Sequence, residues 1–138
     1  MIDQRSGQLP ITGESDIVIV RQFVRDRAKA IGFGVTDVTR IVTAASELTR
    51  NIYLCAGSGV VFWRELYHRG NRGLELSFRD KGPGISNIDK AMEVGFSTSG
   101  LLGLGLPGAK RLMDELEIQS EVGQGTTVTI RKWLRPGL

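Results

Sequence analysis

Apolar residues recur at helical spacing in two stretches near the start of the chain. The first stretch follows Ser15, a residue type that favours helix N-termini, and it ends at Gly32 and Gly34. Its apolar stripe consists of Ile17, Val20, Val24, Ala28 and Ile31. The second stretch follows Thr36 and ends at Gly57, and its stripe consists of Ile41, Ala45, Leu48, Ile52 and Cys55. The two patterns predict two amphipathic helices that share a core.

The period of the pattern then changes from helical spacing to simple alternation. Residues 60–67 are rich in β-branched and aromatic types, and Leu74, Leu76 and Phe78 alternate with polar neighbours. With a turn at 68–73, these two runs predict an antiparallel hairpin. A third helix is predicted over 106–116. Strands are predicted at 117–122 and 126–133, with a glycine turn between them.

Two segments fall outside these periodic runs. Residues 1–13 contain the breakers Pro10 and Gly13 and are predicted to be an extended or flexible lead. Residues at about 85–103 form a glycine-rich stretch, and a long loop inside a compact domain is usually a functional lid. The element order predicts one domain over 1–138. Its fold class is an α/β (α+β) sandwich, with a mixed, mostly antiparallel sheet and about three helices on one face.

Composition narrows the functional classes. Hydrophobic residues make up 41% and charged residues 24% of the 138 positions, which is typical of a globular domain. No apolar run approaches the roughly 20 residues of a membrane span, and no signal-peptide core is present, so we expect a cytoplasmic protein with no membrane partner. The net charge of +3 comes from scattered basic residues, which argues against nucleic-acid binding. The single cysteine, Cys55, permits no internal disulfide and is expected to be buried.

Glu47 and Asn51 are the first candidates for chemistry. They lie four residues apart on the second predicted helix and project from the same side, beside the apolar stripe. A glutamate can act as a general base, and an amide oxygen is a hard ligand that suits Mg²⁺. The alternative is that they form the ordinary polar rim of an amphipathic helix.

A second candidate site follows the alternating strand at 74–79. Asp80 is placed at the end of this strand, and Gly82 and Gly84 permit a tight bend and the close approach of a flat ligand. A carboxylate accepts hydrogen bonds from an exocyclic amine such as that of adenine. The alternative is a β-turn in which these residues serve local geometry only.

A glycine-rich run precedes the third predicted helix. Backbone N–H groups exposed by glycine, together with a helix N-terminus, can cradle phosphates. The run lacks the Gly-Lys-Ser/Thr of a Walker A loop, and it does not follow a parallel strand as a dinucleotide fingerprint would. Candidate ligands of phosphate or of the base in this run and in the last strand are Ser97, Thr98, Gly100, Gly103, Gly105, Lys110, Thr126 and Thr127.

The order of these motifs resembles the GHKL superfamily of ATP-binding domains, over residues 14–134. The sequences SELTRNIY at 46–53 and GFSTSG at 95–100, with GLPGAKRLMDE at 105–115, are similar to those of RsbT-type switch serine/threonine kinases. The resemblance implies the Bergerat ATP-binding fold and the cofactors ATP and Mg²⁺. It implies that Asn51 holds Mg²⁺ and that Glu47 polarises the attacking hydroxyl.

The resemblance also assigns the nucleotide pocket. Asp80 would bind the adenine amine, and Gly84 would let the base sit against the backbone. Gly103 and Gly105 would contact the phosphates, and Thr127 or Thr126 would complete the adenine pocket.

The implied function is partner switching. Such a kinase transfers the γ-phosphoryl group of ATP to Ser or Thr of STAS-domain scaffold or antagonist proteins. Once released, it activates a PP2C-type phosphatase, acting on the phosphatase itself or on its N-terminal domain. A weak homodimer fits this class. Three alternatives stay open: the catalytic domain of a histidine kinase, an anti-sigma factor kinase that sequesters a sigma factor, and a nucleotide-gated binding module without turnover.

Overall fold

The computed structural model describes residues 5–82, Gly84 and residues 102–134. In this part of the chain, five strands and three helices follow one another. They are β1 (Ser6–Ile11), α1 (Asp16–Ile31), α2 (Val35–Ala56), β2 (Gly59–His68), β3 (Asn71–Asp80), α3 (Leu102–Leu112), β4 (Glu115–Glu121) and β5 (Gly125–Trp133).

The strands form one sheet in the order β1-β2-β3-β5-β4, and every neighbouring pair is antiparallel. The helix α2 packs against both α1 and α3, so it lies in the middle of the helical layer. The predicted α/β sandwich is confirmed. The sheet is antiparallel throughout the described strands, where the sequence had predicted a mixed, mostly antiparallel one.

The helical stripes form most of the core, as the periodicity predicts. Every member of the α1 stripe is buried, and so are four of the five members of the α2 stripe. The helix α1 ends at Gly32, whose φ of 118° lets its N–H reach the carbonyls of Ala28 and Lys29. No helix in the described residues is long and apolar enough to cross a bilayer.

The central hairpin is confirmed, and its alternation decides which side chains face the helices. Val61 lies opposite Phe78, and Trp63 lies opposite Leu76, and all four are buried on the helix-facing side. Trp63 packs against the Phe23 ring at a centroid distance of 5.1 Å. Trp63 is therefore a core residue of this face.

The lead segment contains an edge strand. Residues Ser6–Ile11 pair with β2, although they include Pro10. Proline lacks a backbone donor and is accepted on an edge strand, where one side of the strand has no ladder to complete. The prediction of an extended or flexible lead over 1–13 did not include this pairing.

The third helix begins and ends four residues earlier than predicted. It covers Leu102–Leu112, and Leu106 and Ala109 bury it in the core although glycine has a low helix propensity. The next strand starts at Glu115 because Asp114 already pairs with β5. The Asp114 N–H donates to the Arg131 carbonyl, and its carboxylate accepts the Trp133 N–H at 2.8 Å.

Lys132 joins α3 to β5 from inside the core. Only 7% of this residue is exposed, and its Nζ donates to the carbonyl of Leu112 at 2.8 Å. The same ammonium lies 3.7 Å from a carboxylate oxygen of Asp37 and 3.9 Å from one of Asp114. A buried lysine is stable in such a place because its charge and donors are met by these three acceptors. It thereby fixes the C-terminal end of α3.

We expect Lys132→Met to lower the free energy of unfolding by about 2–3 kcal/mol, the scale of a lost charge-assisted hydrogen bond that leaves its acceptors unpaired. Urea unfolding measures this. Lys29→Met, on the exposed side of α1, is the control and should change stability by no more than about 0.5 kcal/mol. Equal stability of the two variants would show that Lys132 does not stabilise α3.

Candidate functional site

A cleft opens between α2, the ends of β3 and β5, and α3. Its volume is about 490 Å³, including the part open to solvent. The lining is mostly apolar and includes an amide, a carboxylate, a thiol and a hydroxyl. The lining residues are Leu48, Asn51, Ile52, Cys55, Phe78, Asp80, Gly84, Leu106, Thr126 and Val128. An apolar cleft with a few placed polar groups is typical of a small-molecule site.

Asp80 provides the carboxylate of this cleft. It is the last residue of β3 and lies opposite Thr126 on β5. The Gly82 N–H donates to its Oδ1 at 2.8 Å, which fixes the orientation of the carboxylate. A carboxylate offers about four acceptor positions. Asp80 therefore keeps the capacity to bind a donor from a ligand in the cleft.

Two glycines bring the ends of the strands close together beside Asp80. Gly125 has a φ of 111°, and a Cβ there would collide with the carbonyl of Asp80. Gly84 has a φ of 79°, and a Cβ there would collide with the carbonyl of Glu121. Both positions require glycine because of the positive φ and because no space exists for a side chain. Gly82 also lies close to α2, since a Cβ there would meet the Ala56 side chain at 2.9 Å.

We expect Gly125→Ala to destabilise the chain more than Gly123→Ala. Both glycines have a positive φ, but a Cβ on Gly123 meets nothing within 4 Å. The Gly123 variant should therefore show only the backbone cost of about 1–2 kcal/mol. The Gly125 variant adds the collision with Asp80 and should lose clearly more. Thermal unfolding compares the two, and equal losses would mean that the close contact at Asp80 does not matter.

The two candidate threonines lie on opposite faces of the sheet. Thr126 lines the cleft, and its hydroxyl shares a hydrogen bond of 2.9 Å with Ser120. Thr127 lies opposite Arg79 and does not line this cleft; it lines a second groove, which Asp80 and Thr126 also line. The sequence alone left both candidates open. Of the two, Thr126 is in place to contact a ligand beside Asp80.

Asn51 and Glu47 follow one another along α2, away from Asp80. Asn51 lines the cleft, and its side chain makes no hydrogen bond to any other described residue. Glu47 lies one turn further along, outside the cleft lining, and is half-buried. Cys55, beside Asp80, is eight residues from Glu47, which corresponds to about 12 Å of helix. The cleft and Glu47 thus form one line along α2.

Cys55 lies in the cleft wall, which corrects the prediction of a buried core cysteine. It is half-buried. Burial raises the pKa of its thiol, and the charge of Asp80 raises the pKa further. The thiol therefore stays protonated at neutral pH. Helical periodicity placed Cys55 on the apolar stripe correctly, but it could not show that the stripe ends in a cleft.

The residues that were predicted to bind phosphate lie outside the described residues or outside the cleft lining. Ser97, Thr98 and Gly100 fall outside the described residues. Gly103 and Gly105 belong to the first turns of α3, so Gly103, at the end of the predicted lid of about 85–103, is helical. Lys110 is exposed on α3 and does not line the cleft. Phosphate contacts at these six positions stay a prediction.

Sequence reasoning missed the apolar walls of the cleft. Phe78 was assigned to an alternating strand, Val128 falls in the strand predicted at 126–133, and Leu106 begins the predicted third helix. All three also line the cleft. A signal was present, because Phe78 lies two residues before Asp80 and Val128 lies two residues after Thr126, so each shares a face of its strand with a polar candidate. Alternation alone does not separate core positions from cleft positions.

Comparison with known proteins places this geometry among nucleotide-binding domains. A family model of histidine kinase-like ATPase domains matches residues 12–132. The serine/threonine-protein kinase RsbT of Bacillus subtilis (strain 168) is 54% identical over 125 residues, which are 91% of this chain and 94% of that protein. An anti-sigma F factor of Geobacillus thermodenitrificans (strain NG80-2) is 35% identical over 105 residues, covering 71% of this chain and 70% of that protein.

Solved structures agree in fold. The mycobacterial sensor histidine kinase MprB matches with a TM-score of 0.57 and 24% identity, over 95% of this chain and 99% of that chain. A chain of the SiaB-SiaC complex from Pseudomonas aeruginosa matches with a TM-score of 0.57 and 13% identity, over 95% of this chain and 92% of that chain. At these identities the likeness concerns the fold alone.

Proposed function

Since the chain belongs to the family of histidine kinase-like ATPase domains and is a protein serine/threonine kinase, we propose that it phosphorylates a Ser or Thr of a STAS-domain scaffold or antagonist protein. The proposal rests on the arrangement of three residues. Asp80 and Asn51 line the cleft, and Glu47 lies one turn beyond Asn51 on α2. This arrangement offers a base-binding carboxylate, a metal ligand and a general base in that order.

The adenine end of the cleft is the part next to Asp80. Its carboxylate would accept a hydrogen bond from the exocyclic amine of adenine, and Thr126 offers a hydroxyl beside it. Ile52 and Leu106 supply apolar surface for the faces of a flat ring. Gly84 leaves room for the base to approach the backbone. Guanine would place a carbonyl oxygen before the same carboxylate, so this end should prefer adenine.

The site also fits a magnesium ion. The Asn51 amide lines the cleft without a partner among the described residues, and amide oxygen is a suitable hard ligand. Protein sites for Mg²⁺ commonly use one or two protein oxygens, with water and substrate phosphates completing the shell. When bound, the ion would neutralise phosphate charge during transfer. Asn51 is the residue that would hold it.

Glu47 is the proposed base for the acceptor. The acceptor hydroxyl attacks the γ-phosphorus, a new oxygen–phosphorus bond forms, and the bond to the β-phosphate oxygen breaks to leave ADP. Glu47 takes the hydroxyl proton as this happens. The residue is half-buried and lies outside the cleft lining, one helical turn from Asn51. This position suits a base that must meet a hydroxyl brought by another protein.

We expect Asp80→Asn to weaken ATP binding by about 1–3 kcal/mol, the scale of a lost hydrogen bond to a charged group. An amide in this place offers one oxygen and adds donors that face the adenine amine. Calorimetric titration with ATP and with GTP measures the loss and the change in base preference. Asp26→Asn, on the exposed side of α1, is the control. Unchanged ATP affinity in the Asp80 variant would relocate the adenine pocket.

The kinase is proposed to act in a partner-switching cycle in the cytoplasm. After phosphorylation of the STAS-domain protein, the released kinase would bind and activate a PP2C-type phosphatase or its N-terminal domain. The support is the resemblance to RsbT-type switch kinases, together with the 54% identity to RsbT. A weak homodimer belongs to the same proposal.

A second candidate is an anti-sigma factor kinase, which is favoured by the 35% identity to an anti-sigma F factor. Its nucleotide site would be the same, so the partner decides between the two. We would immobilise the protein and test a STAS-domain protein and a sigma subunit of the same host separately, with ADP and with ATP. Binding of the STAS-domain protein alone supports the switch kinase. Binding of the sigma subunit supports the second candidate.

A further inference from the structure

Glu47, the proposed base, contacts one charged side chain of α2. The Arg50 Nη1 lies 3.4 Å from the Glu47 Oε1. Within the described residues this is the only hydrogen bond or ion pair of Glu47. The Arg50 side chain is 52% exposed and the Glu47 side chain is 36% exposed, so the contact lies at the solvent surface of the helix.

Such a contact contributes little to folding. Exposed ion pairs three residues apart on a helix give only small gains in stability, since water screens the charges and the long side chains lose freedom. Its remaining effect is geometric. A glutamate without a partner samples several rotamers, whereas a guanidinium that holds one oxygen restricts where the other oxygen points.

The position of Arg50 on the helix shows that it cannot serve the cleft directly. Successive residues are about 100° apart around an α-helix. Arg50 therefore lies about 60° from Glu47 on the side away from Asn51, and it does not line the cleft. Among the described residues its one hydrogen-bond or ion-pair partner is Glu47, so Glu47 is the group of the site that it contacts.

We propose that Arg50 is a positioning residue for phosphoryl transfer. Its guanidinium holds Oε1 of Glu47, so that Oε2 stays directed at the acceptor hydroxyl and receives its proton as the oxygen–phosphorus bond forms and ADP leaves. The inference rests on the proposed function, because it assumes that Glu47 is the base. It adds a second residue to that role and predicts no contact of Arg50 with the nucleotide.

The same helix provides a matched pair for comparison. Arg40 Nη1 lies 3.1 Å from Asp37 Oδ1, again three residues apart, with side chains 49% and 34% exposed. This pair matches the first in spacing and in exposure, and Asp37 keeps its contact with Lys132 when Arg40 is removed. It lies about two turns or more from Glu47, and neither of its members belongs to the cleft or to the proposed base. Arg40→Ala therefore reports what the loss of such a pair does to the fold alone.

The test compares wild type with Arg50→Ala, Arg50→Lys and Arg40→Ala in steady-state transfer to the STAS-domain acceptor. We expect Arg50→Ala to lower kcat by about 10-fold, with the KM for ATP unchanged, because a misdirected base slows only the chemical step. Arg50→Lys should recover most of this loss, since it keeps a cation at the same place. Arg40→Ala should leave kcat unchanged, and urea midpoints of the two alanine variants should agree.

Three results would overturn the inference. They are an unchanged kcat for Arg50→Ala, a raised KM for ATP in that variant, and an equal loss in Arg40→Ala. Failure of the proposed acceptor gives a different result. If wild type binds ATP and transfers nothing to the STAS-domain protein, slow hydrolysis of ATP by the same variants replaces transfer as the readout, with water as the attacking hydroxyl. The same order of the variants in ATP hydrolysis would support the positioning role of Arg50 and refute the STAS-domain acceptor. An unchanged hydrolysis rate in Arg50→Ala would refute both.

Discussion

The Asn51→Ala variant should lose Mg²⁺-dependent phosphoryl transfer by at least about 100-fold, the range seen when one preorganised electrostatic partner is removed. Asn51 brings an amide oxygen to the cleft wall, and within the described residues it has no structural partner to lose. In the described part of the chain no group of three or more His, Cys, Asp or Glu side chains could hold the ion instead. The loss should therefore appear in catalysis and not in stability.

The measurement is the rate of transfer as a function of Mg²⁺ concentration. Asn71→Ala, at the exposed start of β3, is the matched control and should transfer at the wild-type rate. Asn51→Asp keeps an oxygen ligand and should retain part of the activity at higher Mg²⁺. Normal activity of Asn51→Ala would contradict the assignment of the metal ligand.

The Glu47→Gln variant should bind ATP as wild type does but transfer phosphate about 10²–10⁴ times more slowly, the usual contribution of a general base. Glutamine keeps the shape of the side chain and can still accept from Arg50, but it cannot take the proton. Glu47 lies outside the cleft lining, which is why ATP affinity should not change.

Single-turnover transfer and ATP titration together separate the two effects. Asp26→Asn, on the exposed side of α1, is the control, since it removes an acid that lies away from the cleft. If the affinity of Glu47→Gln for ATP collapses with the rate, Glu47 is a structural residue of the nucleotide site.

The helices and the central hairpin could be predicted because their signals are local. A stripe such as Val20, Val24 and Ala28 is buried wherever the helix packs, and the alternation of Leu74, Leu76 and Phe78 needs only one covered face. The strand with which another strand pairs cannot be predicted from such local signals. Nothing in residues 6–11 shows that they join β2 at the edge of the sheet, because pairing depends on distant parts of the chain.

The site could be predicted in part for the same reason. Asp80 follows a clear strand, so its place at the end of the sheet was foreseeable. The choice between Thr126 and Thr127 was not, because it depends on the register between β3 and β5, where a shift of one residue exchanges the faces. Lys132 could not be predicted to be buried, since its three acceptors come from α2, α3 and the following turn.

The central claim is phosphoryl transfer to a STAS-domain protein, and intact-mass spectrometry tests it most directly. The purified chain is mixed with Mg-ATP and a STAS-domain protein of the same host, and Asn51→Ala serves as the parallel sample. The account predicts that the partner gains one phosphate with wild type and none with the variant. An unchanged partner mass with wild type, while ATP binding is measurable, would contradict the claim.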